Sequence, residues 1–325
     1  MQALRHGSPA LRTALFADIE PHAHGRLALD NGHDMYWEES GRPDGVPVVF
    51  IHGGPGAGTM PAHRRFFDPD HFRIILFDQR GAGRSTPQAS VEANTTAHLI
   101  RDMETLRDYL EVDRWHLFGG SWGSTLALAY AQAWPARCLG LVLRGVFTCS
   151  PREVDWFLHG MGRLFPDAWQ DFAEAIPEDE RGDLLAAYRK RLNDPDAEIH
   201  MPAALNWARY EARCSTLKPN PDAVRAISAS TGTLALARIE AHYLAHEAFL
   251  KPDQLFAELD AIRGIPAHIV HGRYDVVCPI ETAYRLARAW PDAEFTIVPD
   301  AGHSALEKGT RAALVDAVEG LKQVV

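Results

Sequence analysis

Cysteine is scarce in this chain. Only Cys138, Cys149, Cys214 and Cys278 occur among 325 residues, and no two of them form a CxxC pair. Such spacing matches neither a zinc knuckle nor the dense disulfide framework of small secreted domains. We therefore expect free thiols and a reducing compartment, and we predict a cytoplasmic protein.

Positive charge is also in deficit, with 33 Lys and Arg against 43 Asp and Glu, a formal net charge of -10 at pH 7. Nucleic acids and anionic membrane surfaces repel an acidic chain unless a local basic patch overcomes the net field, and no such patch is evident. The sequence also lacks an apolar run long enough to span a bilayer. We expect neither nucleic acid nor a membrane as a partner.

The N-terminus lacks the continuous apolar region of a secretory signal, because Arg5, His6 and Pro9 interrupt its first ten residues. The first acidic residue is Asp18, and a basic segment without acids before it also fits an organelle transit peptide. A frayed tail is the commoner explanation of such a terminus. We prefer the tail and keep the transit peptide as the alternative.

Short apolar runs suited to buried strands recur along the chain and alternate with segments of helical spacing, which include 96–110 and 124–133. Strands that alternate with helices predict a parallel sheet with helices packed on it. The predicted strands are 48–51, 72–77, 115–118, 139–143, 267–270 and 295–298.

The middle of the chain differs from both ends. Residues 149–250 contain few strand-like runs, several tryptophans and helix-period segments such as 233–249. We predict an α/β core formed by residues 1–148 and 251–325, with residues 149–250 inserted as a helical cap. One core with an insertion suits this chain length better than several independent domains.

The run Gly119-Gly120-Ser121-Trp122-Gly123 joins a predicted strand to a predicted helix. A serine hydroxyl is a poor nucleophile at neutral pH, and it needs a nearby base and an exposed backbone position. The G-x-S-x-G turn in this context is the nucleophile elbow of α/β-hydrolases, where glycines leave room for a strained turn. We therefore predict that fold, a mostly parallel sheet flanked by helices, with Ser121 as nucleophile. A serine in an ordinary glycine turn is the alternative.

An acid and a histidine follow in the chain order that this elbow requires. Asp275 comes just after strand 267–270, and His303 comes just after strand 295–298. An isolated loop Asp or His is usually a turn former or a solvated side chain, but three such residues at strand ends argue against coincidence. We predict that His303 takes the Ser121 proton and returns it to the leaving group, while Asp275 orients the imidazole.

This mechanism needs an oxyanion hole. The backbone N–H of Trp122, directly after the nucleophile, is one predicted donor. The loop His-Gly-Gly-Pro-Gly at 52–56 offers the second, from Gly54. A simple turn is the alternative for this loop.

We predict no cofactor and no metal. His242 and His246 stand four apart on a predicted helix, but no HExxH motif accompanies them, and solvated or packed histidines are commoner than a zinc pair. Cys278 lies close to Asp275 and could be a reactive thiol, although a small buried hydrophobe is the commoner case.

Five motifs are spread along the chain: HGGPG at 52–56, DQRGAGRS at 78–85, GGSWGSTLAL at 119–128, GRYD at 272–275 and AGHS at 301–304. Together they resemble the proline iminopeptidases, α/β-hydrolase fold serine peptidases that remove an N-terminal proline. The likeness runs over nearly the whole chain and leaves out only its start. It implies a serine aminopeptidase that acts on small peptides with an N-terminal proline through an acyl-enzyme intermediate.

The resemblance also implies substrate-binding residues. The family's cap holds the charged imino group of the substrate with two glutamates, whose positions match Glu211 and Glu240. A protonated amine in a dry cleft needs negative charge and hydrogen-bond acceptors, although a helical glutamate by itself is usually solvent-exposed. The resemblance further points to Arg144, Phe147 and Phe157 as walls of the proline pocket.

Two other functions stay open. Small-molecule esterases and amidases use the same fold, because a fold alone does not fix the substrate. A non-catalytic homologue could also keep the scaffold as a ligand receptor, although an intact Ser, Asp and His set argues against it. The sequence makes no prediction of oligomeric state.

Overall fold

The computed structural model describes residues 5–6 and 15–324, so that most of the predicted N-terminal tail or transit segment lies outside the described residues. Nine strands of the described part form one sheet, in the order β1-β9-β8-β7-β6-β4-β5-β3-β2. These strands are β1 (Arg5–His6), β2 (Ala23–Ala28), β3 (Asp34–Gly41), β4 (Val46–Ile51), β5 (Phe72–Phe77), β6 (Trp115–Gly120), β7 (Cys138–Arg144), β8 (Ala267–Gly272) and β9 (Glu294–Val298).

The sheet is mostly parallel, which confirms the predicted fold class. Seven neighbouring strands of the sheet, β1, β9, β8, β7, β6, β4 and β5, pair in parallel. Only β3 and β2, at one edge, are antiparallel. The six predicted strands are all present. The sequence pattern missed β1, β2 and β3, and β3 buries the acids Glu38 and Glu39 in ion pairs with Arg64 and Arg73, at 2.7 and 2.6 Å. A strand that buries paired acids does not look like an apolar run.

Helices lie between the strands and after the last of them. Seven, α4 to α10 in the ranges below, follow β7 and precede β8, and the first six of these lie within 149–250, where a helical insertion was expected. The α-helices of the described residues are α1 (Pro61–Arg64), α2 (Thr96–Tyr109), α3 (Trp122–Ala133), α4 (Pro151–Asp155), α5 (Pro166–Glu174), α6 (Leu184–Leu192), α7 (Ala197–Cys214), α8 (Pro221–Ser228), α9 (Thr233–Leu244), α10 (Gln254–Ala257), α11 (Ile280–Ala289) and α12 (Lys308–Leu321).

Both faces of the sheet are buried, which explains why its central strands are continuously apolar. Successive residues of a strand point to opposite faces. On β4, Val49 and Ile51 belong to the apolar cluster that contains Leu106 of α2, whereas Val48 belongs to a second cluster with Leu314 of α12. The sheet is therefore a middle layer, covered by helices on each side.

One predicted helix is shorter than its apolar period suggested. The segment 233–249 forms α9 only as far as Leu244. Glu247, Ala248 and Phe249 have φ angles of 47°, 55° and 55°, outside the right-handed helical region, so the helix cannot continue through them. The hydroxyl of Thr96 donates to the Ala248 carbonyl and fixes this bend against α2.

Within residues 15–324, none of the helices combines the length and the apolar character that crossing a bilayer demands.

Candidate active site

Ser121 occupies a strained turn between β6 and α3. Its φ and ψ angles are 57° and -129°, a conformation that side chains rarely adopt. The flanking glycines are sterically required, because a Cβ on Gly119 would lie 2.1 Å from the Gly123 carbonyl oxygen, and one on Gly123 would lie 2.1 Å from that of Ile51. The predicted strand–turn–helix context of Ser121 is therefore present.

The structure brings His303 and Asp275 into direct contact from the ends of β9 and β8. His303 Nδ1 lies 2.8 Å from Asp275 Oδ2, and the backbone N–H of Cys278 donates to Asp275 Oδ1 at 2.8 Å. Burial alone would raise the pKa of Asp275, but the charge and hydrogen bond of His303, with the nearby His271, lower it overall. Asp275 is therefore held as a carboxylate that accepts from His303.

Arg144, at the end of β7, faces His303. Its Nη1 lies 3.0 Å from His303 Nε2 and donates to the His303 carbonyl oxygen at 3.0 Å. A guanidinium can only donate, so Nε2 carries the lone pair and Nδ1 carries the proton that goes to Asp275. This is the tautomer that a general base requires.

Ser121 and His303 are not hydrogen-bonded to each other among the described residues. The Ser121 hydroxyl instead lies 4.0 Å from the sulfur of Cys278. Burial raises the pKa of the Cys278 thiol well above its ordinary value, so this cysteine is a neutral wall of the site rather than a thiolate. Catalytic hydrogen bonds are often absent or long without substrate and form only in the complex.

A small cleft opens onto the predicted nucleophile. Five of the predicted site residues line it, and three more residues join them. The predicted lining residues are Gly54, Ser121, Phe147, Phe157 and Glu240, and the added ones are Leu244, Val277 and Cys278. Sequence reasoning missed Leu244 and Val277 and considered Cys278 only for its thiol. The other predicted site residues, Trp122, Arg144, Glu211, Asp275 and His303, do not line the cleft, which is mostly apolar with Glu240 as its one acidic residue.

Of the two predicted oxyanion-hole residues, Gly54 lines this cleft and Trp122 directly follows Ser121. Trp122 is the first residue of α3, so its backbone N–H has no acceptor within the helix. Gly54 has a φ of 106°, and a Cβ there would lie 2.7 Å from the Gly56 nitrogen and 3.1 Å from Leu236 Cδ1. The tight turn of this loop therefore requires glycine at position 54.

Glu240 is buried on α9 with a single strong donor. The indole Nε1 of Trp207, on α7, donates to Glu240 Oε2 at 2.6 Å. Burial and the nearby charge of Glu211 raise the pKa of Glu240 well above its ordinary value, and the Trp207 hydrogen bond only partly offsets them. Glu240 is therefore a carboxyl group that lacks a compensating cation.

Glu211 is the second carboxyl group of this region. Burial raises its pKa, while the charges of His303 and Arg144 act in the opposite direction. Among residues 15–324, its carboxylate makes no hydrogen bond and no ion pair. The charge of Glu211, on α7, in turn contributes to the raised pKa of Glu240, on α9.

The residues missed from the sequence had weak signals. Trp207 precedes Glu211 by four positions, and Leu244 follows Glu240 by four, so helical spacing puts each on the face of its glutamate. Val277 directly precedes Cys278 in the loop after Asp275. Such spacing predicts a shared face and cannot by itself predict which faces meet.

The paired histidines have ordinary packing contacts. His242 Nε2 lies 3.0 Å from the Asn94 carbonyl oxygen, and His246 Nδ1 lies 2.7 Å from that of His242. In the described part of the chain, no three His, Cys, Asp or Glu side chains are grouped so that they could hold a metal ion.

The raised pKa of Glu240 predicts a pH-dependent stability cost. An unfolded glutamate titrates near pH ~4.3. As pH rises from this value toward the higher pKa of Glu240 in the folded protein, the unfolded chain loses its proton first. The free energy of unfolding therefore falls over this pH range and stays lower at pH values above it. We expect Glu240→Gln to raise Tm by at least about 2 °C at pH 8, with a smaller gain near pH 5.

Thermal unfolding monitored at both pH values checks this prediction. Glu247→Gln is the matched control, because it removes an exposed carboxylate just beyond the same helix and should leave Tm unchanged. A Glu240→Gln protein less stable than wild type at pH 8 would contradict the assignment.

Known proteins are similar to this chain in sequence and in fold. A family model described as alpha/beta hydrolase fold matches residues 46–310. A proline iminopeptidase of Arabidopsis thaliana is 51% identical over 97% of this chain and 83% of its own length. The proline iminopeptidase of Neisseria gonorrhoeae is 45% identical over 93% of this chain and 97% of its own.

Solved structures agree on the fold. A hydrolase from Pseudomonas aeruginosa superposes with a TM-score of 0.65 at 22% identity, covering 93% of this chain and 98% of its own. A thermophilic esterase from Thermogutta terrifontis gives a TM-score of 0.61 at 23% identity, covering 93% and 99%. Identity this low bears on the fold alone, whereas identity near one half over nearly the full length establishes kinship. The chain belongs to the proline iminopeptidases, a family of the α/β-hydrolase fold.

Proposed function

We propose that this protein is a serine aminopeptidase that releases N-terminal proline from small peptides. The observation that carries the proposal is the carboxyl group of Glu240, which lines the same small cleft as Ser121 and has no cation beside it. An N-terminal proline brings a cationic secondary amine next to the carbonyl that must be attacked. The names of the relatives support the same activity.

In the proposed mechanism, Ser121 Oγ attacks the prolyl carbonyl carbon, and its proton moves to His303 Nε2. The carbonyl electron pair moves to oxygen, where the N–H groups of Gly54 and Trp122 stabilise the negative charge. When the tetrahedral intermediate collapses, the C–N bond breaks and His303 gives its proton to the leaving amine. Water, deprotonated by His303, then attacks the acyl-enzyme and releases proline and free Ser121.

His303 must change its partner for this chemistry. In the structure its Nε2 accepts from Arg144, at 3.0 Å. We propose that substrate binding exchanges this contact for the Ser121 hydroxyl, while the Asp275 contact at 2.8 Å keeps the imidazole oriented. Arg144 thus acts beside the base, and its position supports this role better than that of a pocket wall.

Glu211 and Glu240 would hold the cationic amine together. Transfer of the charged amine into an apolar cleft is unfavourable unless it is paired and hydrogen-bonded. Glu240 Oε1 remains available for this, since Trp207 occupies Oε2. The amine in turn relieves the repulsion between the two carboxylates, so binding is favoured by both effects.

Phe147 and Phe157 would pack against the proline ring. Phe157 is fixed by aromatic neighbours, with ring centroids 5.4 Å from Trp207 and 5.6 Å from Tyr210. Because Trp207 also holds Glu240, the apolar wall and the carboxylate are fixed by the same side chain. A five-membered ring whose nitrogen is charged fits this combination of surfaces.

Three broader assignments accompany this proposal. We propose that residues 149–250 act as a cap on a core formed by 1–148 and 251–325, supported by the six α-helices, α4 to α9, that lie within the proposed cap. We propose a cytoplasmic location, supported by four cysteines that are all free and buried. Peptides are the proposed partners, and the acidic net charge of -10 disfavours nucleic acid and anionic membranes.

Labelling with a fluorophosphonate tests whether Ser121 is an activated nucleophile. Attack of its oxygen on phosphorus expels fluoride, and the serine proton passes to His303. We expect stoichiometric labelling of wild type, none of Ser121→Ala, and full labelling of the control Ser304→Ala, whose serine follows His303 directly. Mass spectrometry of the intact protein measures it. An unlabelled, folded wild type would favour the ligand-receptor alternative.

Replacement of the cap glutamates tests substrate recognition. We expect Glu240→Gln and Glu211→Gln each to lower kcat/KM for proline β-naphthylamide by about 100-fold, because the amine loses half of its compensating charge. Turnover of p-nitrophenyl acetate, which carries no cation, should change by less than about 3-fold by the same reasoning.

Steady-state kinetics of both substrates checks this, with Glu247→Gln as control. Efficient ester hydrolysis by wild type without cleavage of the prolyl amide would contradict the peptidase function and favour an esterase.

A further inference from the structure

Gln79 is a buried glutamine that lies between the two predicted donors of the oxyanion hole. It follows β5 in the DQRG motif, and 3% of its surface is exposed. Buried amides need partners for their polar atoms, and this one finds all of them in the loop before α1 and at the start of α3. Nothing in the proposed mechanism uses it.

Gln79 binds His52 in two ways. Its backbone N–H donates to His52 Nε2 at 2.9 Å, and its side-chain Nε2 donates to the His52 carbonyl oxygen at 2.9 Å. The second bond fixes the peptide unit between His52 and Gly53. The first bond fixes the imidazole ring and its protonation.

The protonation state of His52 determines the orientation of the next peptide unit. Because the Gln79 N–H is a donor, His52 Nε2 must carry the lone pair, so Nδ1 carries the proton. Burial lowers the pKa of His52, which keeps the ring neutral. Nδ1 lies 2.9 Å from the Gly53 carbonyl oxygen and therefore donates to it. The Gly58 N–H also points at Nδ1, at the longer distance of 3.3 Å, and cannot donate to it in this tautomer.

The Gly53 carbonyl and the Gly54 N–H belong to the same planar peptide group. In a trans peptide these two groups point in opposite directions. A hydrogen bond that holds the Gly53 carbonyl oxygen on one side therefore directs the Gly54 N–H to the other. Gln79 thus fixes the orientation of the first predicted oxyanion donor through His52.

The same amide also holds the second donor residue. Trp122 Nε1 donates to Gln79 Oε1 at 2.9 Å, and the Trp122 side chain is fully buried. The backbone N–H of Trp122 is the other predicted donor. One side chain therefore connects the loop after β4 to the turn after β6 and sets their separation.

We propose that Gln79 is a positioning residue that aligns the two halves of the oxyanion hole, its Nε2 acting on the His52–Gly54 segment and its Oε1 on Trp122. The inference rests on the proposed function, because it presumes that an oxyanion forms there. If Gln79 only stabilised the fold, its replacement would weaken the binding of every ligand or of none. If it positions the donors, its replacement weakens the binding only of ligands that place an oxygen between them.

The test compares two ligands of wild type and Gln79→Met. A prolyl boronic acid accepts Ser121 Oγ at boron, with the serine proton going to His303, and the tetrahedral adduct carries an oxygen into the oxyanion hole. Pyrrolidine carries the same charged ring and no oxygen. We expect boronic acid affinity and kcat for proline β-naphthylamide to fall together by about 10- to 100-fold, and the pyrrolidine inhibition constant to stay within about 2-fold.

Two further variants provide an alternative to Gln79→Met and a matched control. Gln79→Glu is nearly isosteric and keeps the acceptor for Trp122 but not the donor to His52, so it should show the same selective loss if Gln79→Met does not fold. Gln132→Met is the matched control, since Gln132 lies on α3 and its amide donates to the Leu255 carbonyl at 2.8 Å, away from the loop. It should leave both affinities unchanged.

The outcomes separate the two claims. Equal weakening of boronic acid and pyrrolidine, or no change in either, would overturn the positioning role while wild type still cleaves the prolyl amide. A wild type that neither cleaves the prolyl amide nor binds pyrrolidine would overturn the proposed function itself, and the positioning role with it.

Discussion

The site depends on a buried carboxyl group that the protein leaves without a cation. Glu240 accepts one strong hydrogen bond from Trp207, at 2.6 Å, and the charged group that acts on its pKa, Glu211, is of the same sign. Such an arrangement destabilises the folded chain at neutral pH, since burial of an unpaired charge is unfavourable. A protein that keeps it must recover the free energy in some other state. Binding of a small cation in the adjoining cleft is the state that the geometry supports.

The helix that carries Glu240 is packed directly on the elements that would stabilise the reacting carbonyl. A Cβ on Gly56 would lie 2.5 Å from the carbonyl oxygen of Ala235, so the loop after β4 and the first turns of α9 are in close contact. Further along α9, the Tyr243 hydroxyl donates to Asn94 at 2.8 Å, and its ring lies 4.4 Å from that of Trp122. This packing fixes the position of α9, and with it Glu240, relative to the predicted oxyanion donors.

Patterns local in sequence predicted much of this molecule. Apolar runs located the central strands, and chain order alone placed Asp275 and His303 at neighbouring strand ends, where the structure finds them 2.8 Å apart. The pattern failed where charges are paired across elements, as in β3, whose Glu38 and Glu39 are buried by arginines distant in sequence. It also gave no sign that Arg144 contacts the imidazole. Contacts of this kind depend on which faces meet after folding, and no spacing within one segment encodes them.

We infer that the protein selects its substrate by the charge of the proline nitrogen in addition to the shape of the ring. Proline p-nitroanilide and cyclopentanecarbonyl p-nitroanilide differ by replacement of the ring N–H by CH₂, which removes the charge and keeps the shape. We expect wild type to prefer the prolyl compound by at least about 100-fold in kcat/KM, since loss of the substrate cation leaves the carboxyl groups of Glu211 and Glu240 without a cation. Comparable kcat/KM values for the two anilides would contradict it.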